Sequence, residues 1–155
     1  MTEPLQRAQE LYARHAQAIC DDELEKWPEL FTENCQYKII SRVNYDRNLP
    51  LSVIFAESQG ALKDRVIAIR NTMVYAPRYM SHLVTGVRII ETLADSLKSR
   101  SQFAIYHTLS DGNAQLHLIG RTFDQIDTSA ADWKFSQRTV VFDNELVPGS
   151  VVYPA

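Results

Sequence analysis

The stretch SQFAIYHTLSDGNAQLHLIGRTFDQIDTSAADWKFSQRTVVF, residues 101–142, decides the fold. Two sets of side chains alternate from Gln102 to Leu109, one of them mostly apolar, and a period of two is typical of a strand with one buried face. The Asp-Gly pair at 111–112 predicts a two-residue hairpin turn, because glycine accepts the positive φ that such turns require. A further run, Trp133–Phe142, follows a small polar loop. The stretch therefore predicts three long antiparallel strands.

The predicted turn also sets a register for the hairpin. The expected cross-strand pairs are Leu109 with Ala114, His107 with Leu116, Ile105 with Leu118, and Phe103 with Gly120. One face is then apolar apart from His107, and the other face is mostly polar. The polar face carries Gln102, Tyr106, Thr108, Gln115, His117 and Arg121. In this register His107 and His117 point to opposite faces, so we expect that they do not share a metal ion.

The rest of the chain supplies the helices and the remaining strands. Three helices are predicted: one that starts at Thr2 and Pro4 and runs to Ile19, one from Asp22 with a break at Pro28, and one from Ser58 that ends before Pro77. Further strands are predicted at Cys35–Val43, Leu51–Ala56 and His82–Ala94. Because the strands follow the helices in groups, the order favours an α+β fold with helices on one side of a curved antiparallel sheet. We expect one domain, residues 1–155, and an apolar tail, 148–155, that packs against it.

The composition limits the possible functions. A hydrophobic fraction of 45% and a charged fraction of 23% are ordinary for a globular domain, and a net charge of -3 gives no reason to expect nucleic acid or an anionic membrane. No apolar run approaches the length of a membrane helix, and the acidic start is unlike a signal peptide, so the expected location is the cytoplasm. Cys20 and Cys35 lie too far apart for a C-x-x-C site, which favours reduced thiols.

His107 is the best catalytic candidate, because a histidine lining the pocket of a curved sheet can act as an acid or a base. Tyr37, Asp64 and Tyr12 are the side chains that could complete such a site. The competing interpretation, a histidine of the core with one hydrogen bond, is the more common outcome. No metal-ligand spacing and no glycine-rich phosphate loop occurs in the sequence, so we predict no metal or cofactor site in this chain.

Several short segments together resemble the small (beta) subunits of Rieske-type aromatic-ring-hydroxylating oxygenases. They are EKWPELF at 25–31, Tyr37, Asp64-Arg65-Val66, Arg78 with His82, Gly120-Arg121 with Asp124, Trp133-Lys134 with Arg138, and the tail 147–154. The likeness covers about 130 residues, and the chain looks most similar to small subunits of salicylate 5-hydroxylase and of terephthalate and anthranilate dioxygenases. Their order along the chain, rather than any single motif, carries the resemblance.

The resemblance implies a cystatin-like cone, the fold of nuclear transport factor 2, and a role in the breakdown of aromatic compounds. It implies assembly with a large α subunit, commonly as α3β3 with beta–beta trimer contacts, in which the α subunit holds the Rieske [2Fe-2S] cluster and the mononuclear iron. A reductase or ferredoxin would then meet only the α subunit. The small subunit would scaffold an enzyme acting on an aromatic carboxylate such as salicylate, without catalysing by itself.

Two hypotheses follow. In the first, the polar hairpin face, the segment from Arg78 to His82 and the tail contact other subunits. The candidate interface residues are Arg78, His82, Tyr106, His117, Arg121 and Tyr153. In the second, the chain is a free-standing isomerase or dehydratase of the same fold that uses His107 as its general base.

Overall fold

A computed structural model describes residues 3–110, 112–148 and 150–155 of the chain. The helices are α1 (Pro4–Cys20), α2 (Arg42–Asp46) and α3 (Gln59–Asn71), and two 3₁₀ turns, Leu24–Lys26 and Pro28–Leu30, follow α1. The strands are β1 (Phe31–Ser41), β2 (Ile54–Ala56), β3 (Arg78–Thr92), β4 (Ser96–Leu109), β5 (Ala114–Asp127) and β6 (Lys134–Phe142). No helix in the described ranges is long and apolar enough to span a bilayer.

The six strands form one curved sheet in the order β2-β1-β6-β5-β4-β3. The predicted α+β fold is confirmed, but the sheet is mixed rather than antiparallel, because β1 and β6 run parallel with Ile39 opposite Val140. All other neighbouring strands are antiparallel. The parallel pair joins segments about a hundred residues apart, so local sequence pattern carries no signal for it.

The helical part differs from the prediction in two places. The second predicted helix is a pair of 3₁₀ turns, because Pro28 removes a backbone donor and the chain restarts its turn there. The first strand ends at Ser41, whose hydroxyl caps the short α2 by accepting from the Asn44 N–H at 3.3 Å. The predicted cap of α3 is confirmed, since the Ser58 hydroxyl accepts from the Ala61 N–H at 3.0 Å. Thr2, the predicted cap of α1, lies outside the described residues.

The hairpin register is confirmed near its base and wrong towards its turn. Ile105 faces Leu118 and Phe103 faces Gly120, as predicted. Beyond them the register shifts, so that Tyr106 faces Leu116 and His107 faces Gln115. The shift leaves His117 as an extra residue in β5, a β-bulge, and both His117 and Leu118 are buried. Asp111, the first residue of the predicted turn, lies outside the described residues.

The core lies between the concave face of the sheet and the helices. Its centre is aromatic: the Trp27 ring meets the Tyr37 ring edge-on at 5.2 Å, and the Phe31 and Phe135 rings are 5.5 Å apart. The tail also packs here, as predicted, with Val152, Tyr153 and Ala155 buried. Helix α1 contributes one stripe of side chains to this core. The buried residues of α1 are Ala8, Leu11, Tyr12, His15, Ala18 and Ile19.

Candidate functional site

Of the four candidate catalytic residues, Tyr12 hydrogen-bonds the buried Asp124, and the other three lie in different surroundings. His107 is buried, and neither of its ring nitrogens has a hydrogen-bond partner in the described part of the chain. Tyr37 is buried too, but its hydroxyl donates to the Ala155 carbonyl oxygen at 3.0 Å and accepts from the Ala155 N–H at 2.8 Å. Burial raises the pKa of Tyr37 to about 12. Asp64 is exposed on α3, so the structure does not gather the three into one site.

The bulge in β5 corrects the prediction that His107 and His117 face opposite sides of the sheet. Both rings are buried and stack with their centroids 4.7 Å apart and their planes inclined by 26°. The His117 Nδ1 lies 3.2 Å from the Pro148 carbonyl oxygen. Burial, then the neighbouring His107 and Arg78, lower the pKa of His117 to about 4, so the His117 imidazole is most stable in the neutral form.

A second histidine pair lies at the centre of the core. The rings of His15 and His82 meet edge-on at 5.8 Å, and the Trp27 indole N–H donates to the His15 Nε2 at 3.0 Å. Burial, aided by the positive charge of Arg138, lowers the pKa of His82 to about 3. A cleft of about 530 Å³ between α1 and β3 has His82 in its lining, but both ring nitrogens of His82 are buried without a hydrogen-bond partner among the described residues.

A buried ion pair joins β5 to β6. Asp124 and Arg138 are cross-strand partners, and the Arg138 Nη1 donates to the Asp124 Oδ2 at 3.0 Å while both side chains are essentially inaccessible. The same carboxylate oxygen accepts from the hydroxyls of Thr122, at 2.6 Å, and of Tyr12. Burial raises the pKa of the Asp124 carboxyl, and Arg138 and these donors oppose that rise. This cluster therefore fixes α1 to the centre of the sheet.

The sequence pattern did not predict that Asp124 and Arg138 pair, although both residues belong to the segments that carry the family resemblance. A signal was present: Thr122 and Asp124 occupy inward positions of β5, between Gly120 and Ile126. Charged residues are almost never fully buried unless they are paired. An acidic residue at an inward strand position thus calls for a cationic partner on a neighbouring strand.

The tail is held by polar contacts as well as by packing. The Arg138 Nε donates to the Ala155 carbonyl oxygen at 3.3 Å, and the Tyr37 hydroxyl contacts the same residue. Arg65 on α3 donates to the Val152 carbonyl oxygen at 3.1 Å. These contacts join the tail to β1, β6 and α3.

The six candidate interface residues fall into two groups. Tyr106 is 37% exposed, and Arg78 and Arg121 are half-buried, so these three are accessible to a partner. His82, His117 and Tyr153 are buried inside the chain and do not line its surface. His117 is buried because of the bulge, and Tyr153 is buried because the tail packs on the core. The Tyr153 hydroxyl lies 3.4 Å from the Tyr75 hydroxyl.

The convex side of the sheet, on strands β3, β4 and β5, exposes apolar side chains; we call it the outer sheet face. The exposed apolar residues there are Tyr79, Leu83, Tyr106, Leu116 and Ile119. The register places Tyr106 beside Leu116 and aligns Leu83, Ala104 and Ile119 across three strands. Tyr79 is 81% exposed and Leu83 58%. Large contiguous apolar patches on a surface mark interaction sites, so this face is the candidate subunit interface.

No group of three or more His, Cys, Asp or Glu side chains in the described ranges is arranged to hold a metal ion. The Cys20 sulfur accepts from the His82 backbone N–H at 3.2 Å, and Cys35 is buried, both as free thiols. The histidine pairs therefore stand as paired aromatic rings in the core.

The comparisons with known proteins agree on one family. The sequence model of the family described as ring hydroxylating beta subunit matches residues 14–149 of this chain. The chain is 26% identical to the anthranilate 1,2-dioxygenase small subunit of Burkholderia cepacia, over 99% of this chain and 98% of that protein. It is 25% identical to the terminal oxygenase component subunit beta 2 of terephthalate 1,2-dioxygenase from a Comamonas species, over 92% of both chains.

Solved structures agree with the sequence comparisons. A crystal structure from Novosphingobium aromaticivorans, assigned as the beta subunit of an aromatic-ring-hydroxylating dioxygenase, superimposes with a TM-score of 0.88 at 28% identity and covers 96% of this chain and 94% of that one. More distant structures share the cystatin-like, NTF2-like fold alone. Because the family model spans most of the chain and the relatives match over nearly their whole lengths, this chain belongs to the ring hydroxylating beta subunit family.

Proposed function

We propose that this chain is the small subunit of an oxygenase that hydroxylates an aromatic carboxylate such as salicylate, and that it scaffolds the large subunit without catalysing by itself. The full-length match to dioxygenase small subunits carries the proposal. Two of these relatives belong to enzymes named for anthranilate and terephthalate, which are both aromatic carboxylates.

In this proposal the redox centres belong to the large subunit. A Rieske cluster needs two cysteines and two histidines in paired spacing, and an oxygen-activating iron needs two histidines and a carboxylate around open positions. Cys20 and Cys35 are the two cysteines of this chain, and they lie 15 residues apart on α1 and β1. Among the described residues, the stacked His107 and His117 do not combine with a carboxylate into a group of three that could hold a metal ion.

The outer sheet face suits the scaffolding role. It presents tyrosine and aliphatic side chains on a rigid sheet, and aromatic residues are enriched in protein interfaces. A flat strand surface can contact either a large subunit or a neighbouring small subunit, as an α3β3 assembly with a beta–beta trimer requires. Electrons from a reductase or ferredoxin would enter through the large subunit alone.

The test is to purify the chain alone and after co-expression with its cognate large subunit. We expect a stable complex by size-exclusion chromatography with light scattering, with iron and aromatic-acid turnover only in samples that contain the large subunit. A chain that stays monomeric and ignores the large subunit would overturn the scaffolding role. Turnover of an aromatic acid by the isolated chain would overturn the non-catalytic role.

The second candidate function, a free-standing isomerase or dehydratase, has one observation in its favour. His107 is buried with both ring nitrogens unpartnered in the described chain, and a catalytic base needs a nitrogen free for its substrate. A His107→Ala variant separates the two functions, with Lys63→Ala, an exposed position on α3, as control. For a scaffold subunit we expect assembly and complex turnover within about twofold of wild type and lower stability. Turnover by the isolated wild-type chain that the His107→Ala variant loses would favour the second function.

A further inference from the structure

Three arginines form a row across the outer sheet face. Arg88 on β3 and Arg100 on β4 are directly opposite cross-strand partners. Arg121 on β5 faces Gln102, which is two residues from Arg100 on the same face of β4. The residues that follow Arg100 and Arg121 in sequence, Ser101 and Thr122, point inward and are buried. The sheet register therefore holds three guanidinium groups together on one surface.

None of the three has an acidic partner or a side-chain hydrogen bond among the described residues. Four other arginines behave differently, since Arg14, Arg42, Arg70 and Arg138 each form an ion pair with a carboxylate. Acidic residues near the row are already engaged: Glu91 pairs with Lys98 at 2.7 Å, and Asp143 pairs with Arg42. The row is thus a local excess of positive charge on a chain of net charge -3.

This arrangement is unfavourable for the isolated chain. Like charges directly opposite each other destabilise an antiparallel strand pair, and Arg100 and Arg121 are half-buried, which weakens their hydration. The side chains beside the row supply no counter-charge, because Gln102 and Phe123 are neutral. An external anionic group placed over the row would relieve the repulsion.

We propose that this row docks an acidic segment of the large subunit, an inference that rests on the proposed function. The row is continuous with the apolar residues of the outer sheet face, since Gln102 and Arg121 are followed on the same face by Ala104 and Ile119 and then by Tyr106 and Leu116. Arginine beside tyrosine and aliphatic side chains is the composition of protein interfaces. A two-fold contact with a second copy would place arginines against arginines, whereas a carboxylate-bearing surface of the large subunit supplies the missing counter-charge; a head-to-tail contact between copies is one outcome of the test.

The test measures binding to the cognate large subunit by wild type and by a double variant that carries both Arg88→Gln and Arg100→Gln. We expect binding about tenfold weaker at about 50 mM salt and a much smaller difference at about 500 mM, where screening is strong. Adding Arg121→Gln should weaken binding further. The matched control is the double variant Lys26→Gln with Lys63→Gln, whose charges lie on the helical side, and it should bind like wild type.

A melting experiment on the isolated chain separates docking from a structural role. Because the arginines repel each other, the double variant should melt at the same temperature as wild type or higher, although it assembles less well. A lower melting temperature with proportionally weaker binding would overturn the proposal. So would equal binding by variant and wild type, or a variant that loses self-association but keeps the large subunit. A wild-type chain that does not bind the large subunit at all would refute the proposed function itself.

Discussion

Replacing Asp124 by asparagine tests whether the buried ion pair holds the frame of this subunit together. The substitution keeps the size of the side chain but removes the negative charge that faces Arg138 at 3.0 Å. It also turns one carboxylate oxygen into an N–H donor, whereas the surrounding Thr122 and Tyr12 hydroxyls donate to this carboxylate. The guanidinium then stays buried, at 1% side-chain exposure, without an anion.

The expected loss is large compared with the stability of the domain. Removing one partner of a buried ion pair costs about 3–5 kcal/mol, because the remaining charge cannot regain its hydration. A domain of this size has a free energy of unfolding of about 5–15 kcal/mol. Asp124→Asn should therefore remove about a fifth or more of the total stability.

Urea denaturation of the purified chain measures the effect. With a slope of about 2 kcal/mol per molar urea, the midpoint should fall by about 2 M. The control is Asp64→Asn, which removes an exposed carboxylate on α3 and should change the free energy of unfolding by no more than about 0.5 kcal/mol. A loss below about 1 kcal/mol for Asp124→Asn would refute the argument, since it would mean that the guanidinium is hydrated or paired elsewhere.

Three further predictions concern single positions. Gly120→Ala drives a Cβ into the Val141 carbonyl oxygen, so β5 and β6 must separate, and the free energy of unfolding should fall by about 1–3 kcal/mol. Gly60→Ala should be neutral or stabilising in the same thermal melt, because its Cβ would meet only the Ser58 Oγ, at an ordinary contact distance of 3.7 Å. His82 is neutral when folded, with its pKa lowered to about 3, but protonates below its ordinary pKa of about 6.5 when unfolded. The free energy of unfolding therefore keeps the full contribution of neutral His82 above about pH 6.5 and falls by about 2 kcal/mol at pH 5. A urea midpoint unchanged between pH 7 and 5 would contradict this. Tyr37→Phe removes the hydroxyl that binds the tail, so carboxypeptidase should shorten the variant faster than wild type, and equal rates would show that packing alone holds the tail.

Periodicity predicted the elements that bury one face, and it failed where one residue breaks the period. The alternation of β4 and the pairs of Phe103 with Gly120 and Ile105 with Leu118 were correct. The bulge at His117 was invisible, because the sequence reads equally well as regular alternation through this point. That one extra residue turns His117 from the surface into the core and creates the stacked histidine pair.

Long-range pairing and buried charge lay beyond a local reading of the sequence. The parallel contact between β1 and β6 depends on how the whole chain folds, not on either strand alone. Asp124 and Arg138 lie fourteen residues apart, each on a strand that the sequence predicted. They become partners only through the register between β5 and β6. The candidate catalytic set failed to gather for a simpler reason: Asp64 lies on the solvent side of α3, opposite the apolar stripe of Leu62, Val66 and Ile69.

The position of Arg138 explains how a small subunit can offer a rigid docking surface. Its guanidinium binds Asp124 on β5, hydrogen-bonds the tail at Ala155, and lies within 5.4 Å of the Tyr12 ring of α1 and 5.0 Å of the Phe135 ring. A register slip of β6 against β5 would move this charge away from its only buried anion in the described chain, at a cost of several kcal/mol. A slip is thus far more costly than in a purely apolar core, where one hydrophobic contact replaces another. The ion pair on the inner side of the sheet therefore fixes the spacing of the side chains on the outer sheet face, the surface that we propose meets another subunit.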